Sequence, residues 1–305
     1  VKRFIKKIFL FFLSYSLVSG YVMAAQITPQ DILKIPYSAA EYCIPYGSDS
    51  KQFGDLRLPT GKKPYPVLVV IHGGCWTSSI ANKDFMSPFA QAFTKEGFAT
   101  WNIEYRCIDN KGGGWPGTFL DIGQAIDYLR KLEPKYNLDL KKVMVIGHSS
   151  GGHLALWSGA RKCLGKNSEL YMPNPLELKT VINLAGPGDL RGFLDAQQKC
   201  CGSRVIDKLL DKPSGKMDEH LLQASPYEML PLDTNQQLIV GDNDLAASIE
   251  SMNQYLDKAK HLGDTIQLVI IKEAAHFEVV DPRTAAWQTV KDTVKKLQLK
   301  EYTRK

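Results

Sequence analysis

From residue 67 onward, apolar runs and amphipathic stretches alternate along the chain. VLVVIHGG (67–74) is a continuous apolar run ending on glycines, the pattern of a strand buried on both faces. Phe85, Phe89 and Phe93 then recur at helical spacing over 83–96, and Gly97 stands where a helix C-cap belongs. FATWNIEYR (98–106) reads as a strand, and TFLDIGQAIDYLRKL (118–132) as an amphipathic helix stopped by Pro134. KKVMVIGHS (141–149) predicts a strand and SGGHLALWSGARKC (150–163) a helix. Three further strands follow at 179–186, 236–243 and 265–274, with a helix near 246–262 between the last two and a final helix near 282–299. Upstream, GDLRLPTGKKPYP (54–66) reads as a strand and a turn. The alternation predicts one α/β domain over 26–305, with a mostly parallel central sheet and helices on both faces. It breaks at 187–228, a polar, irregular stretch carrying KCCG. That stretch is expected to be a small cap inserted over the carboxyl ends of the strands, the alternative being a surface excursion without a role.

Composition fits one large core: 305 residues, 44% hydrophobic and 23% charged. The net charge of +6 says less than it suggests, because Lys2, Arg3, Lys6 and Lys7 fall in a leader without acidic residues, leaving +2 for the remainder. That balance argues against a nucleic-acid partner. The leader has its own pattern. VKRFIKK is basic, and IFLFFLSYSLV is an apolar run of 11 residues, too short for a hydrocarbon core about 30 Å thick. Val22 and Ala24 have the spacing of a signal-peptidase site. Residues 1–25 are therefore expected to be a signal peptide and the mature protein to be exported, periplasmic or secreted, with no stable membrane span. An uncleaved anchor helix is the alternative. An even count of six cysteines without a C-x-x-C pair favours disulfides in such a chain, with fifteen pairings open.

Gly147-His148-Ser149-Ser150-Gly151 interrupts a predicted strand-to-helix junction. It fits G-x-S-x-G, in which a serine sits on a turn too tight for side chains two residues away. Ser149 is thus the candidate nucleophile, and a serine needs a base, an orienter for the base, and donors for an oxyanion. In this fold's chain order the base follows the serine, which leaves His220, His261 and His276; His276 directly follows a strand. Asp242 and Asp244 both leave the preceding strand after Gly241, and spacing does not choose between them; one is expected to cap the following helix. IHGGCW (71–76) supplies oxyanion candidates: the amide of Gly74 or Cys75, joined by that of Ser150. Trp76 and Trp115 are candidates to line an acyl or aromatic pocket, or simply to pack. His148 and His153 read as structural. NKGGGWPG (110–117) lacks the spacing of a phosphate-binding loop, whose lysine follows its glycines, and reads instead as a flexible active-site rim. No ligand cluster points to a metal, and no cofactor is expected.

Together HGGCW, IEYR (103–106), GHSSGGHLALW (147–157), ASP (224–226) with Gly241 and Asp244, and HF (276–277) resemble the α/β-hydrolase superfamily. The nearest groups are acetyl- and feruloyl-esterase-like proteins and kynurenine formamidase-like enzymes. The resemblance implies that fold, and it implies Asp244 as the orienting carboxylate. It also implies an acyl-enzyme on Ser149, formed from a small acyl or aromatic carboxylic ester. An N-formyl aromatic amide is the second substrate class, and a hydrolase-fold binding protein without turnover the rival of a different kind. Cys75 departs from the pattern, standing where many relatives carry a third glycine. A disulfide from Cys75 to Cys107 is the expected consequence, since both follow strands that neighbour each other in this fold. The cap matches no pattern.

Overall fold

The computed structural model describes residues 26–303 and builds one eight-stranded sheet. Its strands are β1 (Tyr42–Pro45), β2 (Phe53–Arg57), β3 (Tyr65–Ile71), β4 (Ala99–Ile103), β5 (Leu138–His148), β6 (Thr180–Leu184), β7 (Asn235–Gly241) and β8 (Ile266–Ile271). They lie in the order β1-β2-β4-β3-β5-β6-β7-β8. From β4 to β8 every pairing is parallel; only β2 runs against its neighbours. Alternate residues serve opposite faces. Val67, Val69 and Ile71 of β3 enter one apolar cluster, and Leu68 and Val70 the other.

The helices are α1 (Pro29–Leu33), α2 (Ser87–Lys95), α3 (Gly117–Asp127), α4 (Leu129–Tyr136), α5 (Ser150–Ala160), α6 (Leu190–Phe193), α7 (Gln197–Cys201), α8 (Val205–Leu209), α9 (Met217–Ala224), α10 (Ile249–His261) and α11 (Ala285–Thr303). The first cluster holds side chains of α3, α4, α5 and α10; the second holds Phe89 and Phe93 of α2 with Trp287, Val290 and Val294 of α11. The sheet is therefore covered on both faces. All of α5 is buried, as its apolar and glycine-rich sequence requires.

Two sequence expectations change. The helix expected over 118–132 breaks at Tyr128, and Pro134 lies inside α4 rather than ending it. The turn comes instead at Asn137, in left-handed conformation. β1 was not legible, because at an edge only one of its residues is even half-buried. The interruption at 187–228 consists of α6 to α9 with a short 3-10 turn, and no strand of the described residues falls in it. The leader read at residues 1–25 lies outside the described residues. Among these, no helix is long and apolar enough to cross a membrane.

Candidate active site

Ser149 stands between β5 and α5 at φ 54°, ψ −123°, a conformation that L-residues avoid. The glycines around it are sterically required. A Cβ on Gly147 would lie 2.0 Å from the Gly151 carbonyl oxygen. The amide of Ser149 donates to Leu184 O at 2.8 Å, which fixes the turn against β6. Ser150 is the first residue of α5, so its amide has no acceptor within the helix and lies at the positive end of the helix dipole.

His276 is presented by the turn after β8. Its Nδ1 donates to Asp244 Oδ2 at 2.8 Å, and because a carboxylate only accepts, the proton belongs to Nδ1 and Nε2 keeps its lone pair. The Asp244 side chain is fully buried. Its other oxygen accepts the amides of Ala246 and Ala247 at 2.8 and 2.9 Å. Burial opposes ionisation of Asp244, but His276 and these two amides outweigh it and hold the carboxyl below its usual value. Asp242 has a different partner, the Glu273 amide at 2.7 Å. Neither aspartate caps α10; Ser248 does, accepting from Ser251 N. His261 is the exposed last residue of α10, and His220 is buried in the cap against Leu210 O.

His148 does more than fill space beneath the turn. Its Nε2 lies 2.9 Å from the backbone carbonyl of His276, an acceptor, so the neutral ring donates there. Burial, helped by the neighbouring His276, pushes its pKa down to about 3.

The loop after β3 is unusual in its backbone. Gly74, Cys75 and Trp76 have φ of 100°, 52° and 54°, three consecutive left-handed residues of which only the first is glycine. The Trp76 amide donates to Ser150 Oγ at 3.1 Å. Behind the loop, His72 Nε2 lies 3.4 Å from Glu104 Oε1, and Tyr105 stacks on His72 and donates to its carbonyl at 3.0 Å. Sequence reasoning assigned no role to Glu104 and Tyr105, although the quoted IEYR motif contains both.

Ser149, His276, Gly74 and Cys75 open onto one cavity of about 330 Å³, near the lower end of the range for small-molecule sites. Phe85, Phe193, Phe277, Ile80 and Leu245 supply its apolar walls and rim, and among the described residues no Asp, Glu, Lys or Arg lines it. Trp76 and Trp115, expected as pocket residues, are not among the lining. The Trp76 indole is buried, and it donates to His153 Nδ1 at 3.2 Å. Trp115 stacks on His220 with centroids 4.0 Å apart and donates to Glu169. The expected Cys75–Cys107 bridge is also corrected. Cys75 is bonded to Cys201 of the cap, with Cα atoms 5.9 Å apart. Cys107 is free and fully buried in the main core, whereas Cys75 faces the cavity, where α7 meets it.

Comparison with known proteins agrees with this architecture. Over 230 residues the chain is 24% identical to Esterase LipC of Mycobacterium tuberculosis, an alignment covering 70% of this chain and 54% of that protein. The chain thus spans about half the length of this curated relative. Among solved structures, C6-C4 SN3 inhibited esterase B from Lactobacillus rhamnosis matches with TM-score 0.73 and 19% identity, over 86% of this chain and 87% of that one. Thermogutta terrifontis esterase 2, phosphorylated by paraoxon, matches with TM-score 0.67 and 17% identity, over 87% and 95%. Both share the α/β-hydrolase fold with this chain. The BD-FAE family model matches residues 55–257, about two thirds of the sequence, and the chain belongs to the BD-FAE family within the α/β-hydrolase superfamily.

Proposed function

We propose that the chain is an exported serine hydrolase of the carboxylesterase type. Ser149 Oγ attacks an ester carbonyl while His276 Nε2 takes its proton. Asp244 holds the imidazole in that tautomer and stabilises the imidazolium. The amide of Gly74 or Cys75, with that of Ser150, receives the developing oxyanion. The proton passes to the departing alcohol, and water repeats the sequence on the acyl-enzyme. One observation carries the reading: a buried Asp244 at 2.8 Å from His276, whose ring opens on the same apolar cavity as the strained Ser149.

The substrate is a small-molecule ester whose acyl or aromatic group is apolar. N-formylkynurenine is the less favoured substrate because its charged ammonium and carboxylate would meet no charged side chain in the cavity. Export is supported by the basic and apolar leader and by the disulfide. A fluorophosphonate probe should label the wild type and leave Ser149→Ala unlabelled, and p-nitrophenyl esters should be cleaved faster than N-formylkynurenine. Equal labelling of both proteins refutes the nucleophile; preference for the formamide refutes the ester. Fractionation of expressing cells tests export.

A further inference from the structure

We infer that the Cys75–Cys201 disulfide is a specificity determinant: it fixes cap residues 191–204 as one wall of the substrate cavity and so sets the size of the apolar group the site accepts. The inference rests on Ser149 being the nucleophile of an ester hydrolase.

The cap is anchored unevenly. Beyond residue 204, Val205, Ile206, Leu209, Leu210 and Leu221 are buried in the main core. From Arg191 to Arg204 only Gln197 is buried; it donates to Leu194 O and accepts from Ile206 N, the one buried side-chain tie to the anchored part, while half-exposed Arg191 pairs with Asp218 and Glu228 at the segment's edge. The backbone hydrogen bonds donated by 193–202 also stay within residues 189–202. Phe193, Leu194 and Cys201 are only half-buried against the core. A segment held this weakly opens at low free-energy cost unless something else restrains it. The restraint is covalent. Cys201 ends α7 and is bonded to Cys75, on the loop that also carries an oxyanion donor. Phe193, Cys200 and Cys201 all face the cavity, so the position of this segment is the position of a wall. The bond closes a loop across 126 residues of sequence and joins the loop after β3 to the end of α7.

A fixed wall imposes a size limit. Each buried methylene should raise kcat/KM about fourfold, the equivalent of ~0.8 kcal/mol, until the cavity is full, after which longer groups should be rejected. The test uses two series of esters, one varied in the acyl chain and one in the alcohol. It compares the oxidised protein, the same protein after dithiothreitol exchange, and Cys201→Ser, with the state of the bond read by peptide mapping. In at least one series, loss of the bond should raise the ratio of kcat/KM for the rejected long ester to that for the optimal one at least tenfold, and reoxidation of the wild type should restore the limit. In parallel, hydrogen exchange of 191–204 should speed up at least tenfold on reduction while that of β5 stays unchanged.

Size profiles that agree within twofold after the bond is cut overturn the inference. So does uniform loss for every ester, or unchanged protection of 191–204. If Cys201→Ser fails to fold, the reduced wild type decides. Absence of turnover on every ester, or turnover surviving Ser149→Ala, refutes the nucleophile reading, and the exchange experiment still decides whether the bond holds the wall.

Discussion

Asp244→Asn separates the orienting role from mere packing. The substitution keeps size and shape but leaves one oxygen where there were two. In the protein, one carboxylate oxygen accepts the Ala246 and Ala247 amides at 2.8 and 2.9 Å, and the other accepts His276 Nδ1 at 2.8 Å. An asparagine must choose. Turning its NH₂ toward the two amides sets donor against donor and sacrifices two hydrogen bonds, at roughly 1–3 kcal/mol for each orphaned buried donor. Turning the NH₂ toward His276 keeps both amides paired and asks only that the ring give up its Nδ1 proton. The second orientation wins, and Nδ1 must then accept, which moves the ring proton to Nε2. The lone pair that would take the serine proton is gone. The same tautomer error in a serine-protease triad lowers kcat about 10⁴-fold, or ~5.4 kcal/mol at 1.36 kcal/mol per decade. We expect a loss of that order in kcat for a p-nitrophenyl ester, with the melting temperature changed by only a few degrees. Asp242→Asn, which touches only the Glu273 amide, should stay within about threefold of wild type. An Asp244→Asn enzyme retaining more than a tenth of wild-type kcat, or an equal loss in Asp242→Asn, refutes this account of the site.

Three further outcomes follow from the same geometry. Gly147→Ala should yield no properly folded turn, because the new Cβ would lie 2.0 Å from a carbonyl oxygen; a native near-UV spectrum with full activity contradicts this. Acid should destabilise the protein below pH 6.5, the value of a free histidine, because burial holds the pKa of His148 near about 3 and that of His153 near about 4. The unfolded chain binds protons there that the folded one refuses, so stability falls with pH by up to about 1.4 kcal/mol per pH unit for each ring, and a urea midpoint flat from pH 7 to 4.5 excludes it. Reduction of Cys75–Cys201, whose partners are 126 residues apart, should cost about 2–4 kcal/mol of stability, seen as a lower denaturant midpoint.

Legibility tracked how local each constraint is. The parallel strands were readable because burial on both faces leaves continuous apolar runs, and the Ser149 turn was readable from its local glycine pattern, in which Gly147 is forced by the Gly151 carbonyl while Gly151 is pressed by the carbonyls of Ile71 and His72. Chain order left three histidines, and only the strand directly ahead of His276 singled it out as the candidate. Asp244 and Asp242 were not separable by spacing, since what divides them is three-dimensional: one carboxylate meets an imidazole, the other a backbone amide of the next turn. Trp76 and Trp115 stayed open between pocket and packing because an aromatic beside a glycine loop is equally suited to both, and only the direction of the indole decides. The disulfide misled for a related reason. Strand neighbours were visible in the sequence, but the fold of the irregular cap, which brings Cys201 to Cys75, was not.

The two residues flanking Ser149 show how the parts of the site are kept in register. His148, on its N-terminal side, donates to the backbone carbonyl of His276. Ser150, on its C-terminal side, accepts the amide of Trp76 and so holds the loop that carries Gly74 and Cys75. The Ser149 turn therefore touches the His276 loop with one neighbour and the Gly74–Cys75 loop with the other. The second link is buried and the first partly so, where an unmade hydrogen bond is costly and a made one is stiff. This arrangement lets a serine in an unfavourable backbone conformation be fixed relative to elements that arrive from β3 and β8, on either side of it in the sheet. The hydrogen bond to the His276 carbonyl by itself favours a charged ring, so the low pKa of His148 comes from burial, which outweighs it.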